Sequence, residues 1–278
     1  MARRNHRAQT AFWRSDDLDA ELLKGQFADY VYDFHVHETA CLALITEGAI
    51  HIRMPGHDFI ARKGDLYAID ADAPHAGEPV DGSGWSQRTL YIDVEALRRP
   101  LGGSPRGTSS LKGPVIRDAR LNRLFLDMHV MSEQGLEPLA RDQSFLDLSQ
   151  RLGERHMRDA TVPDEGRHRA TGEALAVKRA RDYLEETLAD KVSLADLAAA
   201  SGLPPYRIYR AFEKSEGITP HTFQRQTRVR HAARLIRLGE PLAEVAAACG
   251  FADQAHMTRS FFRQMAVTPG AYQAAVAR

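Results

Sequence analysis

The C-terminal third of the chain repeats itself. The segment LADLAAASGL, from Leu194, matches LAEVAAACGF, from Leu242, at an offset of 48. Further on, Arg210 and Phe212 align with Arg259 and Phe261, and GITP from Gly217 aligns with AVTP from Ala266, now at an offset of 49. This is one supersecondary unit used twice, the second copy with one extra residue in its middle. Each copy reads as helix, small residue, glycine turn, helix. In the first, Ser193 caps with Asp196 three residues on, Leu194 and Leu197 face inward, and Ala198 and Gly202 stand four apart, where two helices cross too closely for larger side chains. Ile208 anchors the following helix. In the second, Pro241 suits the first helical turn, Ala246 and Gly250 repeat the crossing, and Met257 takes the anchoring place. That is the geometry of a helix-turn-helix. Any packed helical hairpin with a glycine turn imitates one such pattern, but two copies in register are much harder to dismiss.

Between the copies runs TPHTFQRQTRVRHAARLIRLG, with Pro220 at a helix start and Gly239 at a stop. A helix over residues 220 to 238 spans about 28 Å at roughly 1.5 Å per residue, close to the ~34 Å repeat of a DNA turn. One rigid strut therefore holds both second helices over successive major grooves of a duplex. Charge agrees: the chain as a whole is neutral, but residues 174–278 hold 15 Lys/Arg against 10 Asp/Glu, as expected of a part that meets a polyanion.

The run AEVAAACGFADQAHMTRSFFRQMAVTPGAY closely resembles the signature of the AraC/XylS family of transcription regulators, and the first unit with the linking helix fits as well. The resemblance is specific over about 100 residues and looser over about 150 more, where the family places a cupin-like effector-binding and dimerisation domain. Ala266 departs from the family's usual glycine, Gln273 stands after Tyr272 where arginine is common, and Pro204-Pro205 replaces a polar helix start. Carried over by position, the resemblance implies a first recognition helix from about Pro204 to Lys214, with Tyr206, Tyr209 and Arg210 toward the groove and Arg207 toward phosphate. It implies a second beginning near Ala252, with Asp253, Gln254, His256 and Arg259 facing DNA. Arginine pairs bidentately with guanine and glutamine with adenine, each worth roughly 1 to 3 kcal/mol of discrimination. Tyrosines contact thymine methyls or phosphates less specifically. The structural alternative for Tyr206 and Tyr209 is packing within the bundle, and for each arginine a solvated surface charge. The family also implies double-stranded promoter DNA as partner, a small-molecule effector, a homodimer, room for RNA polymerase as a further partner, and activation as the usual outcome. No cofactor and no catalysis is implied.

Ahead of this part, from residue 31 to about 94, short apolar segments alternate with turn signals (CLALIT, GAIHIRMPG, GWSQRTLYIDV) and predict a compact β sandwich or barrel. RRPLGGSPRGTSSLKGP is a loop. Leu121, Leu124, Phe125, Met128, Phe145, Leu148 and Leu152 recur at helical spacing from Asp118 to about Arg158, broken at Gly135 and Pro138, and predict two amphipathic helices. The pair either closes the β domain or offers a stripe to a partner subunit. The expected fold class is α+β: residues 1–158 form a cupin-like β-barrel with its helical pair, 159–173 a linker, and 174–278 an all-α domain with two helix-turn-helix motifs joined by a long helix.

In YDFHVHETACLALITEG, His35 and His37 lie two apart and point the same way in a strand. A later Pro74-His75 after the turn at Gly64-Asp65 resembles the second cupin motif and brings His75 beside the pair. Metal-dependent cupins add a glutamate on the same face shortly afterwards. Glu38 points to the opposite side, and Cys41 and Leu42 occupy the next places, so that ligand is absent. The expectation is an effector pocket built on His35, His37 and His75, joined by Trp85 and Tyr91, with Arg88 on the opposite face of their strand. The competing reading is a three-histidine metal site, which would make the chain a metal-dependent cupin enzyme or a metal-sensing regulator. The structural alternative for each histidine is a satisfied hydrogen-bonding group in the barrel wall. Cys41 and Cys249 each sit in an apolar run as small hydrophobes. The arginine-bearing start MARRNHR has no signal-peptide core, and no run of 18 apolar residues occurs, so the expected location is the cytoplasm, with no membrane partner. That arm is assigned no role.

Overall fold

The computed structural model describes residues 8–98, 109–111, 113–135, 138–159 and 172–276. The MARRNHR arm, most of the Gly/Pro/Ser-rich loop and most of the 159–173 linker lie outside the described residues. The chain divides into two compact units between residues 163 and 164; Asp33–His35, which cluster with the second unit, belong by strand pairing to the sheet of the first.

The first unit runs β1 (Ala8–Ser15), β2 (Ala20–Phe27), β3 (Tyr32–His35), β4 (Ala40–Met54), β5 (His57–Arg62), β6 (Leu66–Ile69), β7 (His75–Pro79), β8 (Trp85–Ile92), α1 (Val94–Arg98), β9 (Ser109–Leu111), β10 (Val115–Ile116), α2 (Ala119–Gln134), α3 (Pro138–Arg155) and β11 (Met157–Asp159). Strand β4 belongs to two layers. Its first half lies between β8 and β6 in the order β1-β2-β8-β4-β6-β10, and its second half pairs with β5 and β7, which in turn pairs with β3. The changeover falls at Gly48, where φ is +67° and an added Cβ would stand 2.2 Å from the Gly84 carbonyl oxygen. Only glycine admits both that backbone angle and that approach.

Alternation assigns the strand faces. Leu22, Leu42, Leu44, Leu66, Ala68, Leu90 and Ile92 share one core with Leu121, Phe125, Met128, Phe145, Leu148 and Leu152 of α2 and α3. Their neighbours Leu23, Cys41, Ala43 and Ile45 are buried as well, on the opposite face. The strand segment CLALI is thus dry on both sides, which is why it is continuously apolar. Each large side chain so buried contributes about 1.5 to 3 kcal/mol. The helical pair closes the β unit, while Leu139 (83% exposed) and Leu126 (37%) stay open to solvent.

The sheet starts at Ala8, earlier than residue 31 where the sequence pattern begins. In β2 the neighbours Leu22 and Leu23 are both buried, on opposite faces, which breaks the alternation in mid-strand, and β1 is mostly half-exposed.

The second unit is α4 (Gly172–Glu186), α5 (Leu194–Ser201), α6 (Pro205–Glu216), α7 (Pro220–Arg237), α8 (Leu242–Ala248), α9 (Gln254–Met265) and α10 (Pro269–Val276). The Ser193–Asp196 capping box forms as expected. Thr219 caps α7 with Pro220 at its first position. Gly217 and Ala266, equivalent in the repeat, both end their helices in the left-handed conformation, at φ +70° and +53°. One expectation fails locally: Leu194, placed inward by the repeat, is 39% exposed at the first position of α5, and Leu197 alone of the two is buried. No described helix is long and apolar enough to cross a membrane.

Candidate nucleic-acid interface and histidine cluster

Helices α5–α6 and α8–α9 form the two helix-turn-helix units, and α7 packs against α6, α8 and α9. Each recognition helix is fastened by its buried stripe, Ile208 and Phe212 in α6 and Met257 and Phe261 in α9, all fully buried. The side of each helix opposite that stripe therefore faces outward.

On α6, Tyr206 is 75% exposed. Arg207 is exposed and bonds Glu173 at 2.9 Å, and Arg210 bonds Glu213 one turn on at 2.8 Å. Tyr209 is half-buried and lines a cleft with Leu184, Leu197 and Pro220, so of the two tyrosines it is the one that packs.

On α9, Gln254 and Arg259 are exposed. Among the described residues Arg259 has no hydrogen-bond or ion-pair partner. Asp253 is the N-cap: its carboxylate accepts the His256 N–H at 2.6 Å, an orphan donor at the start of any helix. His256 in turn accepts the Ala252 N–H at 3.4 Å and sets its ring edge-on to Phe251 at 5.4 Å. Both thus shape the start of α9, while Gln254 and Arg259 stand clear. His221, Arg225, Arg259 and Arg263 line a cleft of about 150 Å³ between α7 and α9. Neither helix contains an acidic residue.

A residue not singled out in the sequence organises this unit. Arg228 of α7 donates from Nε to the Leu188 carbonyl, from Nη2 to that of Asp190 and from Nη1 to that of Gly250, each at 2.8 Å. It thereby ties the α4–α5 connection to the turn of the second helix-turn-helix. Burial, with no carboxylate bonded to it, lowers its pKa from the ordinary arginine value despite the Asp190 carboxylate nearby.

In the β unit, His35 ends β3 and His75 begins β7, and the two strands pair. The ligand atoms of His35, His37 and His75 all lie within 4.8 Å of one another. The first and last of these residues are 3% and 5% exposed, and His37 is half-buried. The His37 ring sits 5.1 Å from that of His75 and 4.9 Å from that of Tyr91. Trp85 does not join them. It shares the inner face of β8 with Tyr91, but six residues of strand separate the two, about 20 Å. There it stacks on Phe27 at 4.6 Å and donates to Gln87 at 2.8 Å. Arg88 lies on the opposite face, bonded to His129 and Glu133 of α2. Glu38 is exposed.

The inner face of β8 also carries a polar ladder that the sequence did not announce. Gln87 accepts from Tyr67 at 3.1 Å and donates to Thr89 at 3.0 Å. Burial holds the Tyr67 and Tyr91 hydroxyls protonated well above the usual range and pushes the Cys41 thiol up to about 12.

Residues 197–275 match the model of a helix-turn-helix domain, and residues 18–149 match that of the AraC-like ligand binding domain. The chain belongs to the AraC family of transcription regulators. This AraC-family chain is 27% identical over 230 residues to the uncharacterized HTH-type transcriptional regulator YbfI of Bacillus subtilis, covering 80% of each. It is 25% identical over 256 residues to the HTH-type transcriptional activator RhaR of Cronobacter sakazakii, covering 88% of the chain and 87% of RhaR. The crystal structure of ToxT from Vibrio cholerae superposes with a TM-score of 0.51 over 97% of the chain and 98% of ToxT at 11% identity, which establishes a shared fold. ToxT has also been solved bound to an unsaturated fatty acid. As an AraC-family regulator the chain binds DNA through its helix-turn-helix domain and carries a ligand-binding domain ahead of it.

Proposed function

We propose that this regulator seats α6 and α9 in two successive major grooves of promoter DNA, and that a small molecule held in the β unit tunes how well they engage. The observation that carries the reading is the pair of outward-facing recognition helices fixed to one α7, 18 residues or about 27 Å long. Arg210, Gln254 and Arg259 supply base contacts, with Tyr206 beside them. Arg207 and the cleft of Arg225 and Arg263 take phosphate oxygens. Tyr209, Asp253 and His256 act through the shape of their helices.

The effector site is the cluster of His35, His37, His75 and Tyr91, whose imidazoles and phenol offer donors and acceptors to a small polar or anionic ligand. Trp85 contributes by packing the far end of the barrel. A relative named as an activator and a neighbour solved with a fatty acid support ligand-dependent activation. The open Leu126 and Leu139 on α2 and α3 support a homodimer. Promoter DNA as target supports a cytoplasmic place and contact with RNA polymerase, and nothing in this reading calls for catalysis or a cofactor.

The test is selection of duplexes from a random pool by the full-length protein, followed by footprinting on the selected site. The expected result is two protected stretches centred about one helical turn, roughly 10 base pairs, apart. One protected stretch alone, or equal affinity for random DNA, would overturn the two-groove reading.

A further inference from the structure

We propose that His35, His37 and His75 hold one divalent transition-metal ion, His35 and His75 through Nε2 and His37 through one of its ring nitrogens. The proposal rests on the ligand-holding role of the β unit and names the ion through which an anionic ligand is held there.

The geometry of the ring nitrogens carries it. His35 Nδ1 lies 2.7 Å from the Asp33 carbonyl oxygen, and His75 Nδ1 lies 2.9 Å from that of Ala73. A carbonyl oxygen only accepts, so both Nδ1 atoms carry a hydrogen, and in the neutral ring Nε2 is then the nitrogen that can ligate an ion. Each histidine thus bonds the carbonyl two residues before it, from two paired strands, and the same tautomer is imposed twice. Metal-binding imidazoles are oriented in this way, by an outer hydrogen bond from the nitrogen that does not bind the ion. With ligand atoms within 4.8 Å of one another, the trio needs only small rotamer adjustments to bring three nitrogens to the ~2.0–2.1 Å of a zinc–imidazole bond. His37, half-buried, is the member with room to adjust.

Donor chemistry selects the ion. Three imidazoles without a carboxylate suit zinc, copper, nickel or cobalt and do not suit magnesium or calcium, which require oxygen ligands. Three neutral ligands also leave a doubly positive ion in a largely buried place. The open coordination position therefore favours an anion, either hydroxide or the carboxylate of an organic effector. Tyr91, ring to ring with His37, borders that position.

The experiment uses the full-length protein freed of metal by a chelator. Cobalt(II) is titrated in and its visible ligand-field bands are followed, then zinc(II) is used to displace it. The expected result is one equivalent bound, with the band intensity of a four-coordinate site. His37→Gln, the substitution least exposed to folding failure, weakens binding by more than the roughly 10- to 100-fold that loss of an outer-shell partner costs. His75→Gln does the same, with far-UV circular dichroism confirming that it folds. Absence of stoichiometric binding by the wild type, or wild-type binding by folded His37→Gln, would overturn the site. DNA binding by the metal-free protein is measured alongside: if it persists while cobalt fails to bind, the metal proposal falls and the regulator stands.

Discussion

Removing the guanidinium of Arg228 separates the architecture of the DNA-binding unit from its DNA contacts. Three carbonyl groups, those of Leu188, Asp190 and Gly250, lose their donor at once. A hydrogen bond from a charged donor contributes about 1.5 to 3 kcal/mol when buried. Arg228 is half-exposed, so about 1 kcal/mol per bond is the appropriate scale, and Arg228→Ala costs about 3 kcal/mol in all. Arg228→Gln retains one donor group within reach and costs about 2 kcal/mol. Urea unfolding followed by far-UV circular dichroism reads the loss. Both tryptophans, Trp13 and Trp85, lie in the β unit, so fluorescence follows the other half of the chain in the same titration. A loss below about 1 kcal/mol for Arg228→Ala would refute the idea that this side chain fastens the second helix-turn-helix, since a single surface ion pair reaches that size.

At the interface, Arg259→Ala should lower affinity for the selected site by about 5- to 150-fold, the range of one bidentate base contact, with random-sequence affinity much less affected; fluorescence anisotropy on both duplexes checks it. Arg210→Ala should cost less in the same assay, because Glu213 competes for its guanidinium, and Glu213→Gln should tighten binding. Gly250→Ala places a methyl 2.4 Å from the Ala189 carbonyl oxygen at φ +71°, a backbone clash that no rotamer change relieves, and should destabilise the second unit by about 2 kcal/mol or more on urea unfolding. Burial, with Arg88 beside it, holds His129 down at about 3 in the folded chain. The unfolded chain takes up that proton first as pH falls, so the contribution is whole above about pH 6.5 and is lost progressively toward pH 3. His129→Gln should flatten stability against pH across that window.

The helical unit was legible because its signals are local. Ser193, Gly202, Thr219, Pro220 and Gly250 mark helix ends by backbone chemistry, and the observed α7 stops within a residue of where Gly239 implied. The hairpin β1–β2 was not, since β1 is mostly half-exposed and mixed in polarity and in β2 the buried pair Leu22–Leu23 breaks the alternation that reveals a strand. Alternation put Trp85 and Tyr91 on one face correctly, yet a shared face says nothing about distance along it; the gathering of the histidines was legible only through the resemblance to the cupin motifs, and the pairing of β3 with β7 realises it. Asp253 illustrates a different ambiguity: a carboxylate before a helix suits a base and suits the helix's own amides equally. Arg228 did leave a trace. It stands four residues from Gln224 and four from Ala232, both buried, and an arginine on an inward stripe has to find acceptors.

Helix α7 serves both helix-turn-helix units, and this makes the distance between half-sites a matter of phase. One residue inserted within it would advance everything beyond by about 1.5 Å and swing it by about 100° around the axis, turning α9 away from the duplex face that α6 addresses. Four residues would nearly restore the angle while adding about 6 Å. Changes in promoter spacing therefore cannot be followed by gradual lengthening of this helix. A regulator of this build adapts to new operators by exchanging side chains on α6 and α9, with the ruler between them held constant.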